Sequence, residues 1–181
     1  CLVVPDDDLD FCRHRLLAGG PIKKALQFVA GGRHRQQSVY NGLKSLGLKK
    51  GLVAIHDGVR PLVDPLLITA CIRAAETSGA CAPGIPAYDT IKRVSGEGTI
   101  AGTVERKGLW LIQTPQVFRY ALISEAHERA LRDGYVGTDD ATLVERLGFP
   151  VTLISGSKSN IKVTTAEDLA MAAALLRAAG E

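Results

Sequence analysis

Eleven residues constrain this chain more than any others: Gly51-Leu-Val-Ala-Ile-His-Asp-Gly-Val-Arg-Pro61. A short apolar run, Leu52 to Ile55, bounded by glycine on one side and turn-forming residues on the other, predicts a strand buried on both faces. In open α/β sheets, ligands gather just beyond the carboxyl ends of such strands. At that edge stand a carboxylate (Asp57), a glycine that leaves the backbone approachable (Gly58) and a guanidinium (Arg60). Taken alone, Asp57 reads equally as a cap for the helix that starts near Asp64; the clustering of Asp, Gly and Arg points to a site.

The rest of the chain repeats the strand-then-helix alternation that predicts an α/β fold with a mostly parallel sheet. Cys1 to Val4 reads as a strand and Asp6 to Asp8 as the cap of a helix over 10–17 that ends at Gly19-Gly20-Pro21. A second strand ends in Gly31-Gly32, and a helix with Val39, Leu43 and Leu46 on one face follows it. A glycine pair between strand and helix offers backbone N–H groups to a polar ligand. Asp64-Pro65 starts a helix that Gly79 closes, and a strand over 80–85 comes next. Downstream lie a strand over 108–116, helices over 120–133 and 141–147, a strand over 151–154 and a capped helix to about Ala179. Trp110 is expected in the core.

Residues 89–106 differ in character. Two alternating runs flank Ser95-Gly-Glu-Gly98, which is a β-hairpin signal. Its apolar positions are few (Ile91, Val94, Ile100, Val104), and a lone hairpin is marginal in water. The expectation is a projecting arm that docks on a second subunit.

Composition excludes several classes. A net charge of +3 is too mild to argue for nucleic acid but suits anionic small molecules. No apolar run reaches the ~18 residues of a membrane span. The four cysteines have no metal-ligand spacing, which reads as reduced, structural thiols in a cytoplasmic protein. A triple Asp is a weak metal signal at Asp6–Asp8, outweighed by a capping role. The four histidines accompany no Ser or Cys nucleophile motif, so acyl transfer is not indicated. The polar strand-end residues are Asp57, Arg60, Thr90, Lys92, Arg106, Thr114, Thr138, Asp139 and Lys162. Cations and hydroxyls suit phosphoryl-type transfer, which depends on positioning and charge neutralisation rather than on proton relays.

Seven stretches occur in one order along the chain: Gly31-Gly32 through Arg35 to Ser38-Val39; His56-Asp57 to Arg60-Pro61; Asp89-Thr90 to Lys92-Arg93; Thr103 to Arg106 and Trp110; Thr114-Pro-Gln116 and Phe118; Thr138-Asp139; and Asn160-Ile-Lys162 to Thr164. Together they resemble the 2-C-methyl-D-erythritol 4-phosphate cytidylyltransferase family. The resemblance implies a Rossmann-like α/β nucleotidyltransferase with helices on both faces of its sheet and a hairpin arm, residues 87–108, that crosses into a partner in a homodimer. It implies a single domain over 1–181 that lacks the family's front glycine-rich loop, in keeping with an opening that reads as the middle of a buried strand. The implied substrates are CTP and a polyol phosphate, with Mg²⁺ as cofactor and no nucleic acid or membrane partner. Carried over by position, Lys162, Asp57, Arg106 and Thr90 become catalytic residues. Arg60, Thr114 and Thr138 bind the polyol phosphate, and Gly32, Ser38 and Gly58 the nucleotide. Arg33 stands where the family often has an acidic residue. A ribitol 5-phosphate cytidylyltransferase and a non-catalytic nucleotide-binding module remain alternatives.

Overall fold

The computed structural model describes residues 1–17 and 26–179. The turn expected at Gly19-Gly20-Pro21 lies outside these residues. The elements run β1 (Leu2–Val4), a 3-10 turn (Asp6–Asp8), α1 (Leu9–Leu17), β2 (Phe28–Ala30), α2 (Arg35–Ser45), β3 (Leu52–Ile55), α3 (Pro65–Ser78) and β4 (Ala80–Pro86). The hairpin β5 (Ile91–Val94) and β6 (Ile100–Val104) follows, then β7 (Trp110–Ile112), β8 (Gln116–Arg119), α4 (Tyr120–Arg132), α5 (Asp140–Arg146), β9 (Thr152–Ser155) and α6 (Ala166–Ala179). Local chemistry sets several boundaries. The Asp64 carboxylate accepts the Leu66 N–H ahead of Pro65, and Gly79 closes α3 at φ 89°, a left-handed conformation that glycine adopts without strain. Thr165 and Asp168 cap α6 reciprocally. Asp6–Asp8 form an exposed 3-10 turn directly ahead of α1, and among the described residues no hydrogen bond from their side chains to that helix is found.

The main sheet corrects the expected mostly parallel arrangement. Three of its four strand pairings (β3–β8, β4–β7 and β4–β8) are antiparallel, and only β4–β9 is parallel. The cause is one stretch of chain. A parallel neighbour needs a long crossover connection, usually a helix, and no helix lies between β4 and β7. The chain leaves β4, makes the hairpin and returns as β7 and β8, running against β3, β4 and β9, which all point the same way. The strand expected over 108–116, with a turn at Thr114-Pro115, ends as β7 at Ile112, and Gln113, Thr114 and Pro115 form the break before β8.

Helices cover both faces, as alternation along the strands requires. Phe118, Ala80 and Ala82 pack with Leu43, Ile123, Ala126, Leu143 and Val144 of α2, α4 and α5. Their neighbours Val117 and Cys81 face the other way, onto Leu67, Cys71 and Ala75 of α3. The Cys71 thiol, hydrogen-bonded to Cys81 and buried, is pushed up, while its partner is pulled down. β1 and β2 pair in parallel as a separate two-stranded sheet against α2. A cavity of about 370 Å³ lies between this sheet and β3, lined by Leu2, Val3, Ser38, Leu43, Asp57 and Gly58 among others.

The hairpin pairs only with itself, with a register shift at Arg93/Val94. Val94 and Ile100 are exposed, and so are Leu109, Leu111 and Ile112 next to it. Trp110 is 36% exposed, against the core position expected for it.

Candidate functional site

Five segments meet beyond the carboxyl end of β3. The strand delivers His56 and Asp57; the break between β7 and β8 delivers Gln113 and Thr114. The start of α2 brings Arg35, that of α5 brings Asp139 and Asp140, and the loop after β9 brings Asn160 and Lys162. Backbone and side-chain bonds hold these segments in register. The Val163 N–H donates to the Val59 carbonyl, and Gln113 Nε2 donates to the Ser157 carbonyl at 2.7 Å. Gly156 has no room for a side chain, since a Cβ there would stand 2.4 Å from Gln113 Oε1. Asn160, fully buried, donates from Nδ2 to the Thr114 carbonyl at 2.9 Å.

Asp57 is the centre. Its backbone N–H donates to Thr114 Oγ1 at 3.0 Å, and that hydroxyl lies 3.0 Å from His56 Nδ1. His56 Nε2 is 3.0 Å from the Arg60 carbonyl, an acceptor only, so Nε2 carries a proton. The Asp57 carboxylate takes Arg35 Nε at 2.9 Å on Oδ1, while Lys162 Nζ and Arg60 Nε stand 3.7 and 3.8 Å from Oδ2. Arg60 is anchored by Nη1 on the Asn160 carbonyl, and its buried Nε has no hydrogen-bond partner. Burial disfavours the Asp57 anion, but the Arg35 hydrogen bond and charge, with Lys162 and Arg60, outweigh it and hold the carboxyl below its usual range. Burial lowers Arg60, only partly offset by Asp57. Arg35 ends up raised: burial opposes its charge, and Asp140 and Asp57 more than restore it.

The structure brings Asp57, Arg60, Thr114 and Lys162 together. Gly58 lines the cavity beside Asp57 and Ser38, and a Cβ at Gly58 would meet nothing within 4 Å. Gly32 donates its N–H to Ser38 Oγ at 3.0 Å, and Ser38 in turn donates to the His34 carbonyl. At Gly32 a side chain would strike Gln37, 2.3 Å away. Thr138 precedes the cap of α5 rather than forming it. Asp139 accepts from the Thr142 N–H, while the Thr138 hydroxyl sits 3.3 Å from that of Thr142. Thr90 and Arg106 lie outside the cluster: Arg106 donates to the Tyr88 carbonyl, and among the described residues neither bonds to Asp57, Arg60 or Lys162. Arg35 and Asn160 fall within the stretches that carry the resemblance but receive no role from it, while Gln113, Asp140 and His127, whose Nε2 lies 3.0 Å from Asp140 Oδ1, carry no strong sequence signal. Asp140 in particular reads in sequence as part of a helix cap.

Among the described residues no three His, Cys, Asp or Glu side chains come together as metal ligands. Asp57, the cluster's exposed-edge carboxylate, already faces three cations. The residues present do not form a protein cage for Mg²⁺. With Arg35 held between two carboxylates, Arg60 and Lys162 stand at the edge of a sheet-end cleft in an α/β protein, chemistry suited to an anionic, phosphorylated ligand.

Comparison with known proteins names the particular family. The model of the family IspD, 2-C-methyl-D-erythritol 4-phosphate cytidylyltransferase, matches residues 1–178. The enzyme of that name from Syntrophus aciditrophicus is 49% identical over 176 residues, 97% of this chain and 75% of that protein. Its counterpart from Bacillus velezensis is 44% identical over 98% of this chain and 75% of its own length. The crystal structure of 4-diphosphocytidyl-2C-methyl-D-erythritol synthase from Anaerococcus prevotii superposes with a TM-score of 0.86 at 33% identity, covering 97% of this chain and 77% of that one. The cytidylyltransferase of Thermus thermophilus gives 0.77 at 41% identity over 88% and 78%. The chain belongs to the 2-C-methyl-D-erythritol 4-phosphate cytidylyltransferase family, a family of nucleotidyltransferases.

Proposed function

We propose that this protein makes CDP-methylerythritol and pyrophosphate from CTP and 2-C-methyl-D-erythritol 4-phosphate, with the cluster around Asp57 as its active site. The observation that carries this reading is the convergence of Asp57, Arg60, Thr114 and Lys162 from three separate segments at the carboxyl edge of β3. A phosphate oxygen of the polyol phosphate attacks the α-phosphorus of CTP. That P–O bond forms as the bond to the bridging oxygen breaks and pyrophosphate departs. Lys162 and Arg60 offset the negative charge that accumulates, and Asp57 with Thr114 holds the polyol hydroxyls. Gly32, Ser38 and Gly58 line the nucleotide side, and Thr138 sits at the polyol end.

Mg²⁺, the cofactor this reading implies, would add to Lys162 and Arg60 in neutralising phosphate charge. Thr90 and Arg106 act on the arm, residues 87–108, from a second subunit of a homodimer. The apolar strip of Val94, Ile100 and Leu109 to Ile112 supports that contact. Residues 1–181 are read as one nucleotidyltransferase domain. Four free thiols suit the reducing cytoplasm, and no helix among the described residues is long and apolar enough to cross a membrane.

Pyrophosphate release tests the proposal directly. The full-length protein is given CTP and Mg²⁺ with methylerythritol phosphate or with ribitol 5-phosphate. Turnover with the first and little with the second is expected; preference for ribitol phosphate would reassign the substrate, and no release with either would remove the enzyme reading.

A further inference from the structure

The cluster around Asp57 continues inward. Arg35 spans two carboxylates, donating from Nε to Asp57 Oδ1 at 2.9 Å and from Nη1 to Asp140 Oδ2 at 2.8 Å. Asp140 is 1% exposed, and its other oxygen takes Nε2 of the equally buried His127 at 3.0 Å. A guanidinium holds its donors in one rigid plane, so engaging two carboxylates fixes its place and its orientation together. The contacts on Asp57 Oδ2 are loose by comparison. Lys162 and Arg60, at 3.7 and 3.8 Å, are beyond hydrogen-bonding distance. Among the described residues, Arg35 is the only group that hydrogen-bonds the Asp57 side chain.

We infer that Arg35, which lines the cavity beside Ser38 and Asp57, is a positioning residue for Asp57, locked in place by the buried Asp140 and His127. The inference rests on the active site proposed above. Without Arg35 the Asp57 carboxylate turns about its last bond, or swings onto Lys162 and removes that charge from the reacting phosphates. Either motion displaces the group that holds the polyol, while the Gly32–Ser38 and Ser38–His34 bonds on the nucleotide side, which the Arg35 side chain does not make, are left as they were. A residue serving only to neutralise buried Asp140 would affect folding and show no such selectivity.

The test is a kinetic double-mutant cycle on the full-length protein with Arg35→Gln, Asp57→Asn and the pair. Arg35→Gln is expected to raise KM for the polyol phosphate or lower its kcat/KM on the order of 10–100-fold. KM for CTP should stay within about 2-fold, as uniform loss of fold would not allow. In the Asp57→Asn background the same change should add less than about 3-fold, because its effect runs through Asp57. If Arg35→Gln does not fold, Arg35→Lys carries the test. One ammonium keeps Asp140 paired but cannot also hold Asp57, so the same selective loss at unchanged Tm is expected. Effects that multiply in the double variant, or that fall equally on both substrates, would overturn the positioning role. An Asp57→Asn enzyme with undiminished turnover would instead overturn the active-site reading itself.

Discussion

The edge of β3 and the β5–β6 hairpin are polar regions of one chain built on opposite terms. At the edge, side chains from five segments bond mainly to one another, and Asp57 and Asp140 each face cationic or imidazole partners. On the hairpin, Lys92 reaches Thr103, its cross-strand neighbour, and Ser95 reaches Thr99 across the turn. Its apolar Val94 and Ile100 are 56% and 67% exposed. A site that must hold charge in fixed geometry is assembled within the subunit, where burial makes each contact strong. The hairpin leaves Val94 and Ile100 exposed, which is what the proposed contact with a second subunit would cover.

The contrast breaks first at Asp57. Asp57→Asn leaves Arg35 and Lys162 facing a neutral amide, and kcat/KM is expected to fall on the order of 10²–10³-fold in a pyrophosphate-release assay. A fall of less than a few-fold would mean that the dense network serves folding alone. On the arm, Arg106→Ala removes only a bond to the Tyr88 carbonyl from its own subunit. On the proposed reading, in which the side chain works in a second subunit's site, activity should still drop about 10–100-fold at an unchanged Tm; activity and Tm declining together would show a local role instead.

Val94→Asp with Ile100→Asp places charge on the strip proposed to meet a second subunit. Sedimentation velocity should then show the dimer dissociating at roughly 10-fold higher concentration than the unaltered protein, with the far-ultraviolet circular dichroism unchanged. A monomer from the outset would separate the arm from dimerisation. The smallest effect is electrostatic. The Asp57 carboxyl is depressed in the folded state, so the unfolded chain binds its proton first as pH falls. The stability it contributes is present above the unfolded value of about 3.9 and is lost as pH drops through the lower folded value. Denaturant midpoints from pH 6 to pH 3 should therefore fall more steeply for the unaltered protein than for Asp57→Asn, and parallel curves would contradict the pairing.

Much of this molecule is legible from local chemistry. The strand Leu52–Ile55, the Asp64-Pro65 start and Gly79 stop of α3, the hairpin and the capping box of α6 follow from patterns within a few residues of one another, but the burial expected on both faces of that strand does not hold: β3 is an edge strand with Ala54 exposed. The sheet's direction was not legible. Alternating strands and helices imply parallel pairing only where a helix crosses over, and the stretch from β4 to β7 puts a hairpin there instead. Within the candidate site, Asp57, Arg60 and Thr114 follow the ends of β3 and β7, where chemistry-bearing residues are sought first, while Lys162 comes from the loop after β9. Trp110, by contrast, looks like core in any window of sequence and lies on the exposed strip beside the arm.

The sequence by itself determined where elements begin and end, which faces are apolar and which residues are chemically able to serve a phosphorylated substrate, because each depends on neighbours a few residues away. Only the tertiary structure decided that Arg35, already bonded to Asp57, would also reach Asp140, 105 residues further along the chain, and that Asn160 would lie buried under Thr114. Such pairings arise from the need to satisfy charges and donors once burial has removed water from them, and that need exists only after the chain has packed.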